Sequence, residues 1–402
     1  MSNTNVSTKT GLIMFFTLVL AYITFAASWV GGSNLSAEIT NHYFGGPVSP
    51  VISQVVNYTI TIARAIANFL AAYFLIKLGI KRASTLAFIL LLFSLVAVWM
   101  PNYWFYIIAR MFMALGGSMI MVYMNPLVVR FIQPKYKLMV SSLITATYNI
   151  GAFFVAVAFL FFADAMKADW RITLTIIGLV SASMFLIWMF KAKDFDTRGN
   201  AANHAEHYSY SIAIKDPFIW RFSVGFGCFL FLYVMSLTSL PSTLASAFSN
   251  NGFQAGLMLL AVSGGGMVAT LIMMKLPLNR PRKPYLVAMG ISAILVTQAG
   301  LFIVPSSPIL AYALFFITGL LIFLQYPVFL NLPHELPDMN PQKATLMFGI
   351  IWALTYGLYT ILTFVWSLVL ANFGLNLAHL FYALMTAVYV LSIFTLPETY
   401  RY

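Results

Sequence analysis

The stretch KAKDFDTRGNAANHAEHYSYSIAIKD (residues 191–216) is the one long hydrophilic run inside a chain of 402 residues. It lies near the midpoint and separates two parts of similar length, each dominated by apolar runs of about 20 residues, long enough to cross a bilayer as helices. The sequence therefore predicts two membrane-embedded halves, residues 1–190 and 217–402, joined by a cytoplasmic linker over residues 191–216.

The composition excludes a soluble globular domain. Hydrophobic residues make up 61% of the chain and charged residues 8%, with a mean hydropathy of +0.89, whereas soluble domains carry roughly 25% charged residues. We predict an all-α membrane protein with twelve transmembrane helices in two pseudo-symmetric six-helix bundles. The predicted spans are 11–33, 50–76, 84–101, 103–132, 138–162, 171–190, 217–246, 255–276, 285–304, 308–332, 344–371 and 375–396. The polar N-terminus shows no signal-peptidase site, so we expect the first helix to stay attached.

The net charge of +12 has to be located before a nucleic-acid partner is considered. The basic residues cluster in alternate loops: Lys77, Lys81, Arg82, Arg130, Lys135, Lys137, Lys191, Lys193, Arg198, Lys215, Lys275, Arg280, Arg282, Lys283 and Lys343. The opposite loops hold only Lys167 and Arg171, beside acidic residues. The positive-inside rule then puts both termini in the cytoplasm, with the chain in the inner membrane. The charge is thus explained by topology, and we expect no nucleic-acid partner.

The two halves carry a weak internal repeat. Residues 76–82 (IKLGIKR), after the second predicted helix, are similar to residues 274–280 (MKLPLNR), after the eighth, at an offset of 198 residues. Pro126 in the fourth helix corresponds to Pro327 in the tenth, at an offset of 201. Repeats of this kind are common in transporters, in which two halves move around a shared site at the membrane midplane.

The loop after the second helix resembles the signature loop Gly-x-x-x-Asp-Arg-x-Gly-Arg-Lys of the major facilitator superfamily. Lys77, Gly79 and Lys81 are retained, while Ile76 stands at the Asp position and Ala72 at the opening Gly position. The resemblance implies that the acidic residue helps to latch the cytoplasmic gate, and this chain lacks it at that position.

Two further motifs resemble the same family. The pattern Arg110-x-x-x-Ala114-x-Gly116 in the fourth helix is similar to the family's Arg-x-x-x-Gly-x-Gly, and residues 397–399 (PET) resemble its C-terminal Pro-Glu-Thr. The resemblance covers the whole chain and implies a monomeric carrier without cofactor or metal. It implies gating or structural roles for Lys77, Gly79, Lys81, Arg110 and Gly116. Helices 4, 5, 10 and 11 also resemble the cyanate and nitrate branch, through residues 149–151 (NIG) in particular.

Arg64 lies at the middle of the predicted span 50–76, about 20 Å from each end of a helix. An arginine at that depth costs roughly 2.5–3.5 kcal/mol, so it should face protein or water. Asn57, Thr61, Arg64 and Asn68 recur at helical spacing and form one polar stripe. The stripe predicts a helix face that lines a central cavity. The alternative is an arginine saturated by carbonyl and amide groups between helices.

The acidic residues all fall in loops or at helix ends: Glu38, Asp164, Asp169, Asp194, Asp196, Glu206, Asp216, Glu335, Asp338 and Glu398. An arginine without a carboxylate partner is best balanced by a negatively charged substrate, whose oxygens match its planar fork. The sequence therefore predicts transport of a small anion. The only titratable side chain of the kind used for proton transfer in a span is His379, near a helix end, so we favour exchange or symport of anions.

The second half supplies no matching arginine, because the repeat offset places Val262 opposite Arg64. One arginine with aromatic and amide groups favours an organic anion over a small inorganic one. Besides Arg64, Asn57, Thr61 and Asn68, the predicted substrate-binding residues are Tyr148, Asn149, Tyr233, Ser236, Gln325, Trp352, Tyr356 and Tyr359.

Three alternatives remain open from the sequence. The same fold could export neutral or cationic amphiphiles through an aromatic cavity, in which case Arg64 would not be needed for transport. It could also be a receptor that does not transport. A lipid-modifying membrane enzyme is the third, although Cys228 and the five His residues show no catalytic or ligand spacing. We therefore expect no enzymatic activity and no catalytic residues.

Overall fold

The computed structural model describes residues 6–133, 136–195, 210–275, 280–337 and 341–400, which form helices and connecting turns without a strand. The first half contains α1 (Thr8–Asn34), α2 (Ser36–Phe44), α3 (Pro50–Ser53), α4 (Val55–Leu91), α5 (Phe93–Ala97), α6 (Tyr103–Phe131), α7 (Lys137–Ala168) and α8 (Trp170–Lys191). The second half, preceded by the short α9 (Tyr210–Ala213), contains α10 (Pro217–Leu237), α11 (Ser239–Ala247), α12 (Ala255–Met273), α13 (Arg282–Ile303), α14 (Pro308–Asn331), α15 (Pro341–Phe373) and α16 (Leu375–Thr395).

Several predictions fall outside the described residues. These are most of the central linker, the second copy of the repeated loop at residues 276–279, Asp338, the side chains of Ala72 and Lys137, and the basic residues Lys135 and Arg198.

Twelve helical segments can cross a membrane, as predicted. Eleven helices in the described ranges are long and apolar enough, and the shorter apolar helix Val55–Ala71 supplies a further one. Because the number is even, both termini lie at the same end of the bundle. We call this end the terminal end. The opposite end, at which α1 ends, is called the distal end.

Gly79 replaces the loop predicted over residues 77–83. It has φ 76° and ψ 169°, and α4 is helical on both sides of it. Tyr103 Oη donates a hydrogen bond to the carbonyl of Ile52 at 2.8 Å, and Tyr43 Oη donates to that of Met100 at 3.1 Å. Ile52, just before α4, and Met100, just after α5, therefore both lie at the distal end. The chain must reverse between them, and it does so at Gly79. Positive φ favours glycine, so one residue makes the reversal that was predicted to need a seven-residue loop.

The span predicted over residues 217–246 is also broken, at Thr238 between α10 and α11. Pro241 has no amide hydrogen to give to the carbonyl of Leu237, four residues earlier. That carbonyl instead accepts a hydrogen bond from Asn34 Nδ2, in the other half, at 3.1 Å. Because of the break, the carbonyl of Leu237 takes part in a hydrogen bond between the two halves.

Two glycines set how closely helices of the second half approach. A Cβ at Gly265 in α12 would lie 2.0 Å from the carbonyl oxygen of Phe316 in α14, and one at Gly319 would lie 1.9 Å from that of Val262. Small residues allow such contact between membrane helices. The two halves meet mainly through α4 with α15 and α7 with α12, which places α4 at the centre of the molecule.

Candidate functional site

α4 carries Arg64 into the interior between the halves, where only 3% of the residue is exposed. Its Nη2 donates a hydrogen bond to Tyr22 Oη at 2.8 Å. Its Nε and Nη1 are buried, and neither has an acceptor among the described residues. Backbone carbonyls therefore do not saturate the guanidinium, which was the structural alternative raised by the sequence.

Four aromatic rings surround this guanidinium. Arg64 Cζ lies 5.8, 5.4 and 5.2 Å from the ring centroids of Tyr22, Phe25 and Trp29 in α1, and 4.6 Å from that of Tyr356 in α15. Rings at these distances stabilise a cation through their negatively charged faces. The contacts described for Arg64 include no carboxylate, so its positive charge is only partly balanced.

The rings and the guanidinium line a small central cavity of about 20 Å³. Its side chains come from both halves: Tyr22, Trp29, Arg64, Met121, Ile144, Thr145, Thr147, Tyr148, Leu230, Tyr233, Val234, Tyr326, Trp352 and Tyr356. A space of this size holds about one water molecule. The halves are therefore closed around Arg64 in this conformation, and a larger ligand requires them to separate.

Two tyrosine hydroxyls of this cavity also lack partners. Tyr148 and Tyr233 stack edge to face, with ring centroids 5.9 Å apart, and both hydroxyl oxygens are buried without a hydrogen bond among the described residues. Buried polar groups are normally satisfied. Together with Arg64 Nε and Nη1 they form a set of unused hydrogen-bonding groups that converge on one cavity.

Of the predicted polar stripe on α4, only Arg64 lines the cavity. Asn57 Oδ1 accepts hydrogen bonds from Trp29 and Ser33, so it lies away from the cavity lining. Thr61 Oγ1 is 2.5 Å from Thr360 Oγ1 of the second half. Asn57 and Thr61 thus join helices instead of lining the cavity, because helical spacing fixes a face but not the neighbours that cover it. Asn68, half-buried, lies one turn beyond Arg64 towards the terminal end.

Of the other eight predicted substrate-binding residues, four line the cavity and four do not. Tyr148, Tyr233, Trp352 and Tyr356 line the cavity, and Trp352 stacks on Tyr356 with centroids 5.5 Å apart. The remaining four lie behind the lining. Asn149 Nδ2 donates to the carbonyl of Ser263 in the second half at 2.9 Å. Ser236 donates to Leu232 at 2.7 Å, Gln325 accepts from Tyr389 at 2.8 Å, and Tyr359 packs against Phe231.

Arg110 is buried inside the first half, with 1% exposed. Its Nη1 donates to Ser28 Oγ at 2.7 Å and its Nη2 to the carbonyl of Ser28 at 2.8 Å. These contacts tie α6 to α1. In the same helix, a Cβ at Gly116 would lie 2.3 Å from the carbonyl oxygen of Ala87, so the glycine allows α6 to approach α4.

The predicted gating residues at the terminal end surround Gly79. Lys77 Nζ donates to Tyr73 Oη at 3.0 Å, and the amide of Lys81 donates to Asp194 Oδ1 at 3.3 Å. A Cβ at Gly79 would lie 2.8 Å from the same carboxylate oxygen. The sequence reasoning missed this role of Asp194, which follows α8 and accepts a hydrogen bond from the backbone next to the reversal at Gly79.

Tyr22, Trp29 and Tyr326 are polar aromatic residues of the cavity that the sequence reasoning missed. Tyr22 and Trp29 are seven residues apart, two turns of α1, and therefore lie on the same helix face. That spacing of two amphipathic aromatic residues was a usable signal, but α1 carries no charged residue after Lys9 that would have drawn attention to it.

Two six-helix halves closed around a central polar site define a membrane carrier in which the halves move about that site. The Major Facilitator Superfamily profile matches residues 12–363. The chain belongs to this superfamily, and it is a secondary transporter and not an enzyme.

The chain is also similar to proteins of two other organisms and to a solved structure. An uncharacterised protein of Mesomycoplasma hyopneumoniae (strain 232) is 26% identical over 92% of this chain and 84% of its own length. An uncharacterised protein of Campylobacter jejuni is 23% identical over 56% of this chain and 69% of its own. The crystal structure of a D-xylose-proton symporter matches with a TM-score of 0.70 at 14% identity and covers 98% of both chains. This last match concerns the fold alone.

Proposed function

We propose that this transporter carries a small anion, and that Arg64 binds the negatively charged group in the central cavity. The observation that supports the proposal is the buried guanidinium, whose Nε and Nη1 have no acceptor among the described residues and whose contacts include no carboxylate. A charge held in this way is stabilised further by an anion that supplies oxygen acceptors. Tyr148 and Tyr233 would donate their free hydroxyls to the same ligand.

The character of the cavity favours an organic anion. The second half contributes the aromatic rings of Tyr233, Tyr326 and Tyr356, while the arginine comes from the first half. Val262, predicted to be opposite Arg64, is fully buried in the contact between α12 and α14. A single guanidinium facing rings suits a monoanion with an apolar part, since the rings offer apolar area and hydroxyl groups together.

We propose that the terminal end faces the cytoplasm, because the basic loops lie at that end and positive residues are retained there. Uptake of a monoanion against a negative interior then costs about 2.3 kcal/mol per 100 mV. Exchange for another anion avoids this cost, and symport with a cation offsets it. We therefore favour exchange or symport in the inner membrane.

The test is thermal unfolding of the purified protein with a panel of sodium salts: nitrate, formate, acetate, lactate, pyruvate and benzoate. Xylose and lactamide serve as neutral probes. A ligand at 100 times its Kd stabilises the folded state by about 2.7 kcal/mol. Arg64→Gln removes the charge, and Arg64→Lys retains it without the planar fork. Arg221→Gln is the matched control, because it removes one positive charge at an exposed position of α10.

We expect at least one anion to stabilise the wild-type protein and the Arg221→Gln variant, to act weakly on Arg64→Lys, and to have no effect on Arg64→Gln. The same anion should show counterflow uptake into proteoliposomes. Equal stabilisation of the Arg64→Gln variant would refute the assignment of Arg64. Stabilisation only by xylose or lactamide would refute the anion proposal, because a neutral solute does not need the charge of Arg64.

A further inference from the structure

Trp29 makes two contacts that no other side chain combines in the described part of the chain. Its ring centroid lies 5.2 Å from Arg64 Cζ, and its Nε1 donates a hydrogen bond to Asn57 Oδ1 at 2.8 Å. The residue is 1% exposed. A rigid, buried indole therefore touches the guanidinium of the central site with its face and the amide of Asn57 with its edge.

Asn57 is the centre of a hydrogen-bonded group that joins the two halves. Its Nδ2 donates to Gln54 Oε1 at 2.7 Å and lies 3.4 Å from Ser239 Oγ of the second half. Ser239 Oγ also donates to Gln54 Oε1 at 2.7 Å. Ser33 Oγ donates to Asn57 Oδ1 at 2.8 Å. We call Gln54, Asn57 and Ser239 the distal clasp.

The distal clasp lies between the central cavity and the distal end. Asn57 precedes Arg64 by seven residues, about 10 Å along α4. Ser239 follows directly on the helix break at Thr238, and the nearby carbonyl of Leu237 accepts from Asn34 across the halves. In a carrier that opens alternately to each side, contacts that close one end must break when that end opens. The distal clasp must therefore break when the distal end opens.

We propose that Trp29 is a positioning residue that couples the guanidinium of Arg64 to the distal clasp. When Arg64 shifts, the indole packed against it shifts too, and its hydrogen bond to Asn57 lengthens. The clasp then loses one of the bonds that orient its central amide, and the distal end opens more readily. An anion bound to Arg64 would act through this link. That last step rests on the proposed function, whereas the link itself does not.

The link can be measured without adding a ligand. Val234, which is 3% exposed and lines the cavity, is replaced by cysteine in a Cys228→Ala background. Its labelling by a membrane-impermeant maleimide is then followed in intact cells. Asn250→Cys, at an exposed distal position, verifies that this end faces the outside. Monodisperse elution and thermal unfolding show that each variant is folded.

Trp29→Phe keeps a ring beside Arg64 but removes the N–H. We expect labelling of the cysteine at position 234 to become about fivefold faster, the ratio expected from the loss of one hydrogen bond. Arg64→Gln should have a similar effect when Trp29 is present and no further effect when it is combined with Trp29→Phe. Ser33→Ala is the matched control, since it also removes one bond to Asn57 Oδ1 without touching Arg64. Its effect and that of Arg64→Gln should multiply.

Two results would overturn the proposal. Multiplication of the effects of Trp29→Phe and Arg64→Gln would mean that Trp29 does not connect the two sites. Unchanged labelling in Ser239→Ala, which removes the hydroxyl that bridges the halves, would mean that the clasp is not a gate. If the anion panel gives no hit but the effects of Trp29→Phe and Arg64→Gln fail to multiply, the coupling stands and only the anion assignment fails.

Discussion

Replacing Tyr22 by Phe removes the only hydrogen bond described for the Arg64 guanidinium. The bond runs from Nη2 to Tyr22 Oη at 2.8 Å. The aromatic ring, whose centroid is 5.8 Å from Cζ, is retained. The change therefore separates the positioning of the charge from the charge itself, which Arg64→Gln cannot do.

The expected magnitudes follow from these contacts. A hydrogen bond to a charged group contributes roughly 1.5–3 kcal/mol, so Tyr22→Phe should lower the free energy of unfolding of the ligand-free protein by about that amount. The bond also holds Nη2 towards α1, which leaves Nε and Nη1 for the cavity. Without it, the arginine must be ordered on binding at a cost of up to about 2 kcal/mol. We expect the Kd for the anion to rise about 5- to 30-fold, at 1.4 kcal/mol per tenfold.

In the assay, the protein is titrated with the anion that stabilises the wild type most. Binding is monitored by tryptophan fluorescence, since Trp29 lies beside Arg64. Tyr389→Phe is the matched control. It removes a tyrosine hydroxyl that donates to Gln325 Oε1 at 2.8 Å, away from the cavity lining. It should lower stability by about 0.5–1.5 kcal/mol and leave the Kd unchanged. Tighter binding in Tyr22→Phe would refute the reasoning, because Tyr22 would then compete with the anion for Nη2.

Two further predictions concern stability. Gly319→Ala places a Cβ 1.9 Å from the carbonyl oxygen of Val262 and should cost about 3 kcal/mol or more. Gly349→Ala is the control: its Cβ meets no atom within 4 Å, so the change should be neutral or stabilising by up to about 1 kcal/mol. Equal melting temperatures of the two variants would contradict the close contact between Gly319 and Val262. Burial raises the pKa of Glu398, but hydrogen bonds from backbone amides, including that of Arg282, lower it to below its usual value. A lowered pKa stabilises the fold above the ordinary glutamate pKa of about 4.3 and loses that effect as pH falls. Glu398→Gln should therefore unfold more easily than wild type near neutral pH and no more easily in acid; a pH-independent difference would contradict this.

The sequence was sufficient for the twelve spans because twenty-residue apolar runs have few other structures available to them. It was sufficient for Arg64 as well, since a charge at mid-span can be located by counting. It failed where one residue changes the backbone. A single residue, Gly79, makes the reversal that was predicted as a loop over residues 77–83, and Pro241 frees the carbonyl of Leu237 inside a span that was predicted to be continuous.

It failed for a second reason at the polar stripe. Asn57, Thr61 and Arg64 share a face of α4, but α1 covers part of that face and the second half covers the rest. The rotation and height of those neighbours depend on packing between distant segments, such as Ser239 after its helix break. Periodicity in one helix holds no information about them, so a residue that closes the halves cannot be distinguished from one that contacts a ligand.

The rings around Arg64 explain how the chain tolerates a charge that a carboxylate would balance better. Each contact between a cation and a ring is worth about 0.5–2 kcal/mol, and the one hydrogen bond described for the guanidinium, donated by Arg64 Nη2 to Tyr22 Oη, adds a comparable amount. These contacts stabilise the guanidinium without using its Nε and Nη1. A permanent Asp or Glu partner would occupy those atoms, and an incoming anion would have to displace it. Aromatic stabilisation is therefore an arrangement that holds Arg64 inside the membrane and leaves its Nε and Nη1 available for the proposed anion.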